Sequence, residues 1–262
     1  MEWIALSGIG LAAGVLAGLL GIGGGLVIVP AMTALLVAGG APVDVAVPTA
    51  VATALASMLM TSAASARAHA RRGNVDWSVV FRLGSAVAIG AAFGGFLASV
   101  LPGVMLARIF AVLAGVIGLR MLLGASARIR PVTPHPRGWW LAGPLIGMLS
   151  ALIGIGGGSF NVPYLTFNGY ATLRAVGIAA ACGWPIALGG SLVLLGAGPS
   201  ETALPGTVGF WYLPGVVLIG LGGIIGAPLG TRLAHRLGSA RLARVFGVFL
   251  LLVALRMAIQ SG

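Results

Sequence analysis

Two copies of one decapeptide carry most of the chemistry this chain can do. GIGGGLVIVP occupies residues 21–30 and GIGGGSFNVP residues 154–163, an offset of 133 residues (21 to 154) in a chain of 262. Runs of glycine let successive backbone N–H groups turn toward one point. A helix that begins just after them adds unsatisfied N–H donors and the positive end of its dipole. That combination binds anions. The backbone candidates are Gly23, Gly24 and Gly25 in the first copy and Gly156, Gly157 and Gly158 in the second. The side chains are asymmetric, because Ser159 and Asn161 stand where the first copy has Leu26 and Ile28. A competing reading makes the glycines a tight hairpin between packed helices; the duplication of the whole motif favours the site.

Other polar residues in apolar surroundings are few. Thr49, Thr53 and Ser57 recur at a spacing of four and so share one helix face. Such a stripe could line an anion path or serve as helix–helix glue. Arg82 lies about two turns inside its segment, where it either snorkels to the interface or stands as a fixed positive charge. Trp184, followed by Pro185 in the middle of an apolar run, marks either a kink lined by an indole N–H or a bulky filler. Asn168 and Tyr170 are weaker candidates.

No Asp or Glu is expected in the membrane interior, which disfavours a buried cation site and a carboxylate proton relay. Cys182 is the single cysteine, so no intramolecular disulfide or cysteine metal cluster is expected. Neither a metal nor a cofactor is expected. An intramembrane hydrolase would need a nucleophile with a base in reach. GGGSFN is not a G-x-S-x-G elbow, and all three histidines fall in arginine-rich loops, so the chain does not read as an enzyme.

The elements that position these residues are membrane helices. The chain is 59% hydrophobic and 7% charged, with a mean hydropathy of +1.10; a soluble domain carries about 25% charged residues. Apolar segments run at 3–20, 26–39, 45–67, 75–100 and 105–124, then at 139–153, 159–168, 173–197, 207–231 and 241–259. A crossing takes about 20 residues. Segments 26–39 and 159–168 would reach only about 21 and 15 Å at 1.5 Å per residue, and read as half-helices or re-entrant arms. The expected class is an all-α integral membrane protein of roughly eight full spans plus these short pieces.

The net charge of +11 is concentrated in loops between apolar runs, which is the positive-inside pattern and not a nucleic-acid surface. Loops 67–74, 125–138 and 232–241 hold the arginines and should be cytoplasmic. Loops 40–44, 101–104 and 198–206 lack arginine and should face outward. MEWIALSG lacks the positive start of a signal peptide, so the first helix is expected to be retained, with both termini periplasmic. Trp3, Trp77, Trp139, Trp140 and Trp211 lie near segment ends, as an interfacial belt would place them.

The repeat extends beyond the glycines. GVLAGLLGIGGG at 14–25 matches GMLSALIGIGGG at 147–158, LARIFAVLAGVIGLRML at 106–122 matches LARVFGVFLLLVALRMA at 242–258, and GNVDW at 73–77 lies opposite GTVGF at 206–210. With the loop orientations this gives two inverted-topology repeats, residues 1–124 and 139–262, each with a Gly-broken hairpin, joined by a cytoplasmic linker at 125–138. Interrupted hydrophobic segments at matching positions of two halves point to a transporter's substrate site.

The paired GIGGG-x-x-x-VP motifs, G-N-V-D-W after a basic loop and L-A-R-x-F at the start of each half's last helix resemble the TauE/SafE family of bacterial sulfite exporters, over essentially the whole chain. The resemblance implies an inner-membrane permease for sulfite or organosulfonates, with the two glycine motifs at its centre. The expected partners are a small anionic substrate and the lipid bilayer; monomer and homodimer both stay open. A broader anion permease or a sulfonate importer is the alternative. On this reading Gly157→Leu abolishes transport and leaves the protein folded.

Overall fold

The computed structural model describes residues 2–20, 24–124, 136–198, 205–234 and 239–260. In a bilayer no water satisfies the backbone, so each apolar segment satisfies its own by coiling. Ten helices result among the described residues: α1 (Glu2–Leu20), α2 (Gly25–Ala38), α3 (Val43–Ala70), α4 (Trp77–Val100), α5 (Gly103–Leu122), α6 (Pro136–Leu152), α7 (Gly158–Phe167), α8 (Thr172–Gly196), α9 (Leu213–Ala234) and α10 (Ser239–Gln260). The short arms expected at 26–39 and 159–168 are α2 and α7. Five helices, α3, α4, α5, α8 and α9, are long and apolar enough to cross a membrane; α1, α2 and α6 are apolar but shorter. Most of the expected linker, residues 125–135, lies outside the described residues.

One segment differs from expectation. The run from 207 opens with an antiparallel hairpin, β1 (Thr207–Val208) paired with β2 (Trp211–Tyr212), before α9 begins at Leu213. TVGFWY is β-branched and aromatic, which suits strands. Gly209 takes φ +57°, as the first position of a two-residue hairpin turn requires.

Close contacts fix the helix directions. Asp44, near the start of α3, accepts from the N–H groups of Gly103 (2.6 Å) and Val104 (3.4 Å), so α3 and α5 start at one end of the molecule, the Asp44 end. Asp76 caps α4 through Val79 N–H at 3.4 Å and pairs with Arg174 of α8 at 3.3 Å, so α4 and α8 start together at the other, the Asp76 end. Gly215 lies on Thr53 and Gly223 on Thr61, so α9 runs parallel to α3. Gly10, Gly14 and Gly18 abut Ile219, Gly223 and Ala227, so α1 runs parallel to α9. Gly90 and Gly94 abut Pro144 and Met148, so α6 runs parallel to α4. α1 and α6 therefore point in opposite directions. Gly115 and Gly118 face Ala254 and Gly247, which makes α5 and α10 antiparallel.

These contacts exchange between the halves. Gly10 faces Ile219 and Gly143 faces Ala86; each pair becomes the other when 133 is added to its first-half residue and subtracted from its second-half residue. α1 packs on α9 as α6 packs on α4, while α3 crosses α8 and α5 meets α10. The small residues at these crossings let backbones touch, which is how helices associate in lipid. Large apolar side chains such as Ile4, Phe81 and Leu141 stand exposed on the outer surface, while Thr49, Thr53, Ser57 and Asn161 are buried. Outward apolar and inward polar groups suit a hydrocarbon solvent.

Candidate functional site

The second motif makes the more definite structure. Its Gly157 is the N-cap of α7 in the left-handed region, φ +71°, and its carbonyl accepts from the N–H groups of Phe160 (3.0 Å) and Asn161 (2.6 Å). The N–H groups of Gly158 and Ser159, in the first turn, have no acceptor within the helix. In the first motif Gly24 is the N-cap of α2, and its carbonyl accepts from Val27 and Ile28, both at 3.0 Å. Gly23 lies outside the described residues. The two motifs touch: a Cβ on Gly25 would overlap the Gly154 carbonyl oxygen and press on Ile155 Cα. The start of α2 thus rests against the turn that leads into α7.

Unpartnered polar atoms gather around Gly157. A Cβ built there would lie 2.8 Å from Asn161 Nδ2 and 3.6 Å from Ser150 Oγ, and would strike Ile186 Cδ1. Asn161 and Ser150 are 0% exposed. Both amide atoms of Asn161 and the hydroxyls of Ser150 and Ser159 are buried with no hydrogen-bond partner in the protein. Each such atom costs about 1–3 kcal/mol, so a cluster of them calls for an explanation, and a ligand is one. The crowding also corrects the expectation for Gly157→Leu. With φ +71° and Ile186 in place, a leucine there disrupts folding and does not report on transport alone.

On the other side, beside Gly156, lies a cavity of about 20 Å³ bordered by Thr61, Ser62 and Ser65 of α3 and Gly183 of α8. Ser62 donates to the Ala180 carbonyl at 2.9 Å. Ala17, Met58 and Ala180 complete its lining, and a space of this size is no larger than one water. A polyatomic anion needs the surrounding helices to part. Thr61, Ser62, Ser65 and Ser150 are polar groups that sequence reasoning missed. The signal was present for two of them, since the period-four stripe of Thr49, Thr53 and Ser57 continues through Thr61 and Ser65.

The stripe divides by role. Thr49 is buried. Thr53 Oγ1 accepts from the Tyr212 N–H at 3.1 Å and its methyl packs on Gly215, tying the hairpin to α3. Ser57 donates to the Ala54 carbonyl at 2.9 Å within its own helix. Only the Thr61–Ser65 stretch borders the cavity.

Arg82 and Trp184 are not drawn to the motifs. Arg82 is exposed, its guanidinium 6.0 Å from the Trp139 ring centre, which is the snorkelling outcome with a cation–π contact added. Trp184 is 44% exposed on the outer surface; its neighbour Pro185 packs inward on Gly84. Trp3, Trp77 and Trp140 are exposed as a belt requires, but Trp139 is buried, and Trp211 donates inward to the Ser191 carbonyl at 2.9 Å. Every arginine whose side chain is described is exposed. Asn168 caps α7, donating to the Tyr164 carbonyl at 2.7 Å. Burial, with the Asp76 carboxylate nearby, holds the Tyr170 hydroxyl above its ordinary range, so it stays protonated at neutral pH.

The chain is similar to known membrane transporter proteins. The model of the family described as Sulfite exporter TauE/SafE matches residues 6–257. A probable membrane transporter protein of Haemophilus influenzae is 33% identical over 254 residues, covering 96% of each chain. One from Methanocaldococcus jannaschii is 26% identical over 257 residues, covering 93% of each. A third, from a Sinorhizobium species, is 30% identical over 243 residues, covering 91% of this chain and 84% of its own. No solved structure matches the chain. With its apolar spanning helices the protein is a multi-pass membrane transporter. Matched from residue 6 to residue 257, the chain belongs to the TauE/SafE sulfite exporter family.

Proposed function

We propose that the protein is a secondary transporter that exports sulfite, or a closely related small sulfur oxyanion or organosulfonate, across the bacterial inner membrane by alternating access. The substrate rests where the two glycine motifs meet, on backbone N–H groups of Gly24, Gly25 and Gly156 to Gly158 with Ser159 and Asn161. The observation that carries this reading is the contact of Gly25 with Gly154 beside the unpartnered Asn161, Ser150 and Ser159.

The halves, residues 1–124 and 139–262 with a linker at 125–138, act as inverted repeats that rock about this contact. The opposite directions of α1 and α6 and the exchange of contacts at an offset of 133 support that reading. Eight crossings follow when α1, α6 and α10 join the five long helices. The Asp76 end, where the arginine-bearing connections gather, faces the cytoplasm, and both termini face the periplasm. A negative interior expels anions, with about 2.3 kcal/mol per charge per 100 mV, so export needs no proton-carrying carboxylate.

Sulfite flux in liposomes holding the purified protein tests this, with the potential clamped by potassium and valinomycin. The expected result is flux that follows the imposed potential without a pH gradient. Flux that requires a pH gradient would keep the site and discard the uncoupled mechanism; no flux of sulfite would discard the substrate.

A further inference from the structure

The two glycine motifs are alike in backbone and unlike in everything that could recognise a ligand. At the offset of 133 residues, Ser150, Ser159 and Asn161 correspond to Ala17, Leu26 and Ile28. Leu26 and Ile28 are buried in the apolar core. Asn161 and Ser150, equally buried, keep unbonded polar atoms and converge on Gly157, the N-cap of the ten-residue α7. Resting on the transporter reading, we infer that the protein has one anion site, at the start of α7, and that it takes a singly charged oxyanion still carrying a proton: hydrogensulfite rather than the sulfite dianion. The first motif adds backbone N–H groups and, with Leu26 and Ile28 in place of Ser159 and Asn161, no side chain that recognises a ligand.

Two physical arguments lead there. The first is charge. A helix N-terminus offers about half an elementary charge, and every arginine side chain described is exposed on the outer surface. The cost of bringing an ion into a medium of low dielectric grows with the square of its charge, so a dianion costs about four times what a monoanion does. A site built of backbone N–H groups, hydroxyls and one amide suits one negative charge.

The second is hydrogen bonding. The N–H groups of Gly158 and Ser159, the serine hydroxyls and Asn161 Nδ2 are donors for anionic oxygens. Asn161 Oδ1 is an acceptor, and it is buried without a donor. An oxyanion with an O–H supplies that donor. A fully deprotonated one sets its own charged oxygens against the amide oxygen, leaving both unsatisfied. Asn161 therefore discriminates by protonation state, as a site built to bond a substrate O–H rejects the analogue that lacks it.

The helices packed against α7 are α6 and α8. Of the titratable groups, α6 carries Arg137, α7 Tyr164, the turn after it Tyr170, and α8 Arg174 and Cys182. Helix α3, which borders the cavity beside Gly156, carries Asp44, Arg67 and His69, and α4 carries Arg82 with Asp76 before it. None of those described is at Gly157 in the contacts above. The pH dependence should therefore belong to the substrate. The test is efflux from liposomes at zero clamped potential, equal pH on both sides and sub-saturating total sulfite, with empty liposomes subtracted. The pH is varied across the second ionisation of sulfurous acid, and methanesulfonate and sulfate serve as comparison ions. Sulfite flux should fall about tenfold per pH unit above that ionisation, following the monoanion. Methanesulfonate flux should be smaller and independent of pH, and sulfate should not move. Asn161→Leu should lower sulfite flux at least about tenfold, the scale of one lost buried hydrogen bond. Should that variant not elute as a monodisperse protein, Ser150→Ala, which removes one hydroxyl, should lower flux severalfold. His69→Gln and Cys182→Ala should keep the wild-type profile.

Flux that is flat or rises with pH would overturn the inference and leave the transporter reading standing. So would a profile that moves in His69→Gln or Cys182→Ala, or wild-type flux in a folded Asn161→Leu. Absence of sulfite flux at every pH would remove both.

Discussion

Asn161 is an amide shut away from solvent with nothing in the protein to bond, one turn from a glycine whose conformation opens a helix. A group so placed is either a defect or half of an interaction, and its neighbours Ser150 and Ser159 share the condition. Helical glycines differ sharply in what they do. Gly25 holds the two motifs together, and a methyl group there would overlap the Gly154 carbonyl, whereas nothing lies within 4 Å of a Cβ on Gly8. Gly25→Ala should therefore destabilise the protein by about 1–3 kcal/mol or more, the scale of overpacking. Gly8→Ala should leave stability unchanged or raise it by about 0.5–1 kcal/mol. Melting of the two purified variants beside the wild type separates these outcomes. Ser159 and Asn161 were legible in the sequence because the repeat sets them against Leu26 and Ile28. Ser150 lies before the glycines, where the same repeat sets it opposite Ala17. For Arg82 and Trp184 the sequence left two readings open, because a polar or bulky residue within an apolar run shows its depth but not its direction; both are exposed.

Elements were legible where length decides. α2 and α7 fell within one residue of the short segments read from the sequence, because Gly-rich turns and the following loops bound them tightly. The hairpin at 207–212 was hidden because TVGFWY is as apolar as the helix it precedes, and a short apolar run does not distinguish strand from helix. That hairpin is bonded to both crossing helices, through Thr53 of α3 and through Ser191 and Leu194 of α8, and so closes the Asp44 end over their crossing. The two described aspartates act on element ends: Asp76 caps α4, and Asp44 reaches from α3 to cap α5. Asp44→Ala should remove that cap and lower stability by about 0.5–2 kcal/mol, with Asp44→Asn retaining most of it. Denaturation of the two variants side by side should rank them in that order; equal losses would show that the carboxylate's charge, not its hydrogen bonds, holds α5.

At the scale of the molecule, the all-helical membrane architecture and the grouping of the arginine-bearing helix ends were readable from hydropathy and arginine placement. Which helix of one half packs on which helix of the other was not. Nothing in the sequence pairs α1 with α9 or α6 with α4 until the glycines of each are seen against the backbone of its partner. That interlocking leaves the two motifs in contact, Gly25 against Gly154. The most direct test is the melting temperature of the detergent-purified protein in graded sulfite, measured for the wild type and for Asn161→Leu. A ligand at about a hundred times its Kd stabilises by about 2.7 kcal/mol. The wild type should rise with sulfite and Asn161→Leu should stay flat. No rise in the wild type, or an equal rise in the variant, would contradict a sulfite site at the start of α7.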